Sequence, residues 1–148
     1  MASHVKEPAT RPAPTPGRWR VRKRVLFALL LFNGLSSVGG GIALMTGMIP
    51  AQAVWIEHTG FSSLYFPGVI LMALVGGTAL VAAAALAAQC FGWELSAIVA
   101  GVMMMIWIVG EVASIRGFHF LQVIYFATGA LVVWCAPAPG PASLHREG

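Results

Sequence analysis

Glu111, Gln122 and Tyr125 are the side chains of this sequence best placed to do chemistry. Each is a polar group set in an otherwise apolar stretch. An ionised carboxylate in hydrocarbon costs several kcal/mol, so an acid held there is a functional candidate by default. Glu111 could carry a proton or face a cationic ligand, with the Gln122 amide and the Tyr125 hydroxyl completing the site. A plainer reading stands beside it: Glu111 could lie near enough to an interface to hydrate, pair with Arg116, or hold Gln122 and Tyr125 in place. Both readings remain open at the level of sequence.

A second constellation joins Glu57, His58, Glu111 and His119, since two histidines and two carboxylates can bind a divalent metal. No HxxH or HxxxH spacing enforces that geometry, and His58 and His119 read equally well as interfacial residues. No metal or other cofactor is expected. Signatures of soluble enzymes are missing: the sequence has no GxSxG and no phosphate-binding glycine loop before a lysine. A non-enzymatic protein is the expectation. Gly39, Gly40 and Gly41 fall inside an apolar run and signify packing, and Met103, Met104 and Met105 wrap around one helix as adaptable filler.

The elements that must position these residues are four long apolar runs. No charged side chain occurs between Val25 and Ile56, between Thr59 and Trp93, or between Leu95 and Gly110, and none but His119 between Gly117 and Leu144. A helix rises about 1.5 Å per residue, so roughly 20 apolar residues cross the hydrocarbon core of a bilayer. With 58% hydrophobic and 9% charged residues, the 148-residue chain cannot be an ordinary soluble domain, which carries about 25% charge. The expected fold class is all-α, an integral membrane four-helix antiparallel bundle.

Boundaries follow from prolines and charge. Residues 1–24 read as a Pro-rich, basic cytoplasmic tail and 137–148 as a short Pro-rich cytoplasmic tail. The four-helix transmembrane domain spans 25–136, with helices at about 25–48, 67–88, 94–115 and 118–136. Eight of the nine Lys and Arg residues lie in the tails, and Arg18, Arg20, Arg22, Lys23 and Arg24 form a collar before the first helix. Such a collar keeps both termini cytoplasmic and touches anionic headgroups, each basic residue being worth about 1 kcal/mol near the surface. The basic balance therefore reports topology, and nucleic acid is excluded as a partner. Cys90 and Cys135 fall at the cytoplasmic end, where thiols stay reduced, and read as small apolar fillers.

Helical periodicity assigns faces. On the third helix Ala97, Ala100, Met104, Trp107, Ile108, Glu111 and Ser114 share one side, expected to face the other helices. Leu95, Ile98, Val99, Val102, Ile106, Val109 and Ala113 form the side expected to face lipid. On the fourth helix Phe118, His119, Gln122, Tyr125, Phe126, Gly129 and Val133 share a face. Glu111 and Gln122 then lie roughly 7 and 6 Å below the same outer boundary and can hydrogen-bond across the short Arg116–Gly117 turn. The first helix carries Asn33, Ser36, Ser37, Gly40 and Gly47 on one face. Ser36–Gly40 and Ser37–Gly41 are small-xxx-small pairs, so Asn33, Ser36, Ser37 and Gly40 are the expected packing residues.

Phe61-Ser62-Ser63 with Phe66-Pro67-Gly68, Trp107 to Glu111, and Leu121 to Phe126 together resemble a family of small, uncharacterised four-span bacterial membrane proteins. The resemblance covers about Val25 to Trp134. It implies a four-helix bundle in the bacterial cytoplasmic (plasma) membrane and attaches no activity. The layout is also distantly similar to that of DoxX-like four-helix proteins, some of which partner quinone-linked redox systems. Two functions are consistent with these residues. One is an accessory component bound to another membrane protein or to a second copy of the chain. The other is a small oligomeric proton-linked transporter or ligand binder using an outward-facing cluster of Glu111, Gln122 and Tyr125, with Arg116 and His119 at its edge.

Overall fold

The apolar runs form helices, and in the computed structural model, which describes residues 16–49, 60, 62–115 and 119–138, no strand occurs among the described residues. Helix α1 spans Pro16–Met45, α2 spans Tyr65–Ala88, α3 spans Trp93–Ile115 and α4 spans Phe120–Cys135. The first three are long and apolar enough to cross a membrane. The fourth differs from expectation. Its 16 residues rise about 24 Å, short of the roughly 30 Å hydrocarbon thickness, because its first turn begins only at Phe120.

Helix α1 also departs from its expected limits. It starts at Pro16, a favoured first helical position, so the basic collar is part of the helix and not a tail that precedes it. Its end comes at Met45, where the chain turns through Thr46 and reaches Gly47 with φ of +72°, a conformation glycine adopts without a Cβ penalty. The expected continuation to Met48 therefore fails, and Gly47 leaves the helical face assigned to it. Pro50, Glu57 and His58, with Arg116 and Phe118, lie outside the described residues.

Helix α2 is not uniform. Leu71–Gly76 makes a π-helical stretch between two α-helical segments. Wider turns disturb the normal pairing of backbone carbonyls, and Thr78 Oγ1 donates to Leu74 O at 2.6 Å within this region. The helix closes at Gln89, whose φ of 52° is left-handed, and Cys90 N donates back to Ala85 O at 3.0 Å. This short turn leads into α3, with Glu94 in its first turn, where the helix dipole favours an acid.

Packing runs α1 on α2, α2 on α3, α3 on α4 and α4 back on α1. Near the collar end the core is Leu26, Leu30, Ala82, Leu86, Trp93, Ala97 and Val132 with their neighbours. Toward the other end Val75, Met104 and Ile108 are buried, with Trp107 and Tyr125 packed against them. Two crossings are close enough to require glycine. A Cβ at Gly41 would stand 2.6 Å from the Gly68 carbonyl oxygen, and one at Gly68 would stand 2.7 Å from that of Gly41. The same reciprocity joins Gly101 and Gly129, at 2.7 and 2.9 Å. Gly40, expected as the packing glycine of α1, is only half-buried, and a Cβ there would make an ordinary 3.4 Å contact with Leu71. The crossing has selected the next residue, because Gly41 lies on the stripe of Leu26, Leu30, Asn33 and Ser37 that faces inward.

Candidate functional site

The α3 face read from periodicity matches its burial. Ala97, Ala100, Met104 and Ile108 are buried and Trp107, Glu111 and Ser114 half-buried, whereas Leu95, Val99, Ile106, Val109 and Ala113 are exposed and Ile98 and Val102 intermediate. On α4 the expected face needs correction. Phe126 is 42% exposed, while Val132 is fully buried and Thr128 half-buried. The inward stripe is thus Gln122, Tyr125, Thr128, Gly129 and Val132, rotated toward α1 by the close Gly101–Gly129 contact.

Glu111 and Gln122 do meet. The Glu111 carboxyl lies beside the side chains of Gln122 and Trp107, with His119 nearby. Gln122 is 4% exposed and acts in two directions. Its Oε1 accepts the His119 backbone N–H at 3.0 Å, which satisfies a donor left free at the start of α4. That bond fixes the amide orientation, because the opposite flip would set two donors against each other. Its Nε2 is fully enclosed and finds no hydrogen-bond partner among the described residues. The Glu111 carboxyl is the acidic group beside this amide. His119 itself is exposed at the N-cap, in extended backbone conformation.

Tyr125 leaves this cluster and stacks on Phe32 of α1, with ring centroids 5.9 Å apart and planes 13° from parallel. One turn further along α4, Thr128 Oγ1 donates to Asn33 Oδ1 at 2.9 Å. Asn33, only 2% exposed, is thus a tie between α1 and α4. Ser36 Oγ turns back to the Phe32 carbonyl at 2.7 Å and, among the described residues, makes no bond to another helix. Ser37 is buried against the inner stripe. Among the described residues no three His, Cys, Asp or Glu side chains come together as a metal site. Of the residues proposed for one, Glu57 and His58 lie outside the described residues.

The chain matches no family model, no curated protein and no solved structure.

A second cluster, missed in the sequence, sits at the collar end. Arg22 crosses to the last turn of α4, where Nε donates to Cys135 O at 2.8 Å and an Nη donates to Trp134 O at 2.9 Å and Ala136 O at 3.3 Å. A cation at a helix C-terminus answers both the orphan carbonyls and the dipole. The neighbouring Lys23 places Nζ 5.3 Å from the ring centres of both Trp19 and Trp93 and bonds Gln89 Oε1 at 2.5 Å. Gln89 in turn donates from Nε2 to Leu86 O. Two collar residues therefore bind α1 to the α2–α3 turn and to the end of α4. Arg18, Arg20 and Arg24 remain exposed. The sequence signal was Trp19 inside a basic run, which reads equally well as an interfacial anchor. Cys90 is exposed and Cys135 half-buried, so Cys90 is no core filler.

Proposed function

We propose that this chain is a multi-pass protein of the bacterial plasma membrane, an antiparallel four-helix bundle with both termini cytoplasmic. Its role is that of a non-enzymatic interaction or accessory component, held against another membrane protein or a second copy of itself. The observation that carries this reading is the use of the interior for helix contact. Reciprocal glycine crossings at Gly41–Gly68 and Gly101–Gly129 bring the helices together at backbone distance. Asn33 of α1 and Thr128 of α4 bond to each other across the interior. Such packing favours a rigid body and leaves little freedom for alternating access. The short α4 supports it further, since a helix below spanning length gains from a neighbour that shields its ends.

The test is purification of the intact protein from its native membrane in a mild detergent, followed by identification of what accompanies it. A stoichiometric membrane partner is expected. A solitary oligomer that moves protons or solutes would overturn the accessory reading.

One observation favours a second reading, a small proton-linked transporter or ligand binder. Half-buried Glu111 lies beside an enclosed amide whose Nε2, on Gln122, finds no hydrogen-bond partner among the described residues. A buried donor left unpaired costs about 1–3 kcal/mol, which a moving proton or a ligand could recover. Replacing Glu111 with Gln separates the readings: flux or growth changes with pH for a carrier, and neither changes for a packing group.

A further inference from the structure

The collar of α1 is divided by direction. Arg22 and Lys23 turn into the bundle, as their bonds to Cys135 and Gln89 show. Arg20 and Arg24 stand on the opposite side, and both are exposed. Their face continues down the helix through Phe27, Leu31 and Leu35, every three or four residues, and all three are exposed apolar side chains. Leu26, Leu30 and Asn33, on the inward face, are buried.

Dimensions fit a lipid molecule on this stripe. The 30 residues of α1 rise about 45 Å, some 15 Å beyond a hydrocarbon core of about 30 Å, which leaves the collar at headgroup depth. From Arg24 to Leu35 the rise is about 16 Å, close to the thickness of one acyl leaflet. Residues four apart on a helix lie about 6 Å apart, so two guanidinium forks can converge on one phosphate between them. Helix α1 carries no acidic residue to compete for them.

We propose that Arg20 and Arg24 hold the phosphate of one anionic phospholipid whose acyl chain lies along Phe27, Leu31 and Leu35. The absence of acid from α1 favours an anionic lipid over a zwitterionic one, because the headgroup amine of the latter would find no carboxylate on that helix. This site rests on the membrane-spanning reading and adds a partner to it.

The experiment is native mass spectrometry of the full chain in mild detergent, titrated with phosphatidylglycerol or with phosphatidylcholine of the same acyl chains. A single phosphatidylglycerol adduct is expected, with phosphatidylcholine bound weakly. R20Q/R24Q should weaken phosphatidylglycerol binding about 30-fold, because two basic groups are removed from the headgroup layer. R18Q, on another face of the same turn, should weaken binding no more than the several-fold expected for one basic group in the headgroup layer. Equal retention of the two lipids, or equal losses in R18Q and R20Q/R24Q, would overturn the proposal. Should R20Q/R24Q fail to fold, R20K/R24K is read instead. It keeps both charges without the planar forks and must bind several-fold more weakly. Washing native membranes with alkaline carbonate separates the two claims. Release of the wild-type chain removes the membrane-spanning reading itself, whereas retention without a lipid preference removes only this site.

Discussion

Arg22, in the second turn of α1, donates from Nε to the carbonyl of Cys135, the last residue of α4, at 2.8 Å. The first and last helices are therefore joined at one end, antiparallel, by a side chain that appears in the sequence as one more member of a basic run. With Lys23 between Trp19 and Trp93, the contact gathers α1, the α2–α3 turn and the end of α4 into one structure.

Substituting Arg22 with Gln removes the cation from the α4 C-terminus. The expected loss is about 1 kcal/mol, since a charge at a helix end is worth that order and the guanidinium is exposed. Fraying would show first at Cys135. Maleimide labelling of Cys135 should accelerate while that of exposed Cys90 stays constant. Unchanged labelling of both thiols would mean that α4 ends without help from Arg22.

Gly41→Ala and Gly101→Ala each force a Cβ against a carbonyl oxygen of the facing helix. Overpacking of this kind costs about 1–3 kcal/mol, read as a lower unfolding temperature in detergent. Gly39→Ala is the control. Nothing lies within 4 Å of a Cβ there, and the exposed helical site should gain slightly from alanine. Equal effects at Gly39 and Gly41 would contradict the close crossing.

Asn33 and Thr128 form the polar tie between α1 and α4. Interhelical hydrogen bonds in membrane proteins average about 0.6 kcal/mol by double-mutant cycles, so a coupling of that size is expected for Asn33→Ala with Thr128→Ala. A coupling of zero would show that the tie is geometric and not energetic.

Gln122→Leu removes the acceptor for the His119 N–H and, at the same time, an enclosed donor that completes no bond. Loss of the cap costs about 1 kcal/mol and loss of the unpaired amide returns a similar amount, so thermal stability should change little. A large destabilisation would mean that the Glu111–Gln122 contact closes and is worth a full hydrogen bond.

The sequence by itself determined the helices and, for α3, their orientation. Uncharged runs leave few alternatives for a chain of this composition, and a period of 3.6 residues separates Ala97, Ala100, Met104 and Ile108 from Leu95, Val99 and Ile106 without knowledge of any partner. It also brought Glu111 and Gln122 together, because a short turn between two helices forces them to be neighbours. Tertiary structure decided what depends on the register between helices distant in sequence. Periodicity places Gly40 and Gly41 on neighbouring faces, and only the side from which Gly68 of α2 approaches selects Gly41. It cannot tell an interfacial arginine from a helix cap, because that choice depends on where α4 ends, more than a hundred residues away. The faces of α4 shifted for the same reason: a backbone-to-backbone contact at Gly101 and Gly129 fixed its rotation and carried Phe126 outward and Val132 in.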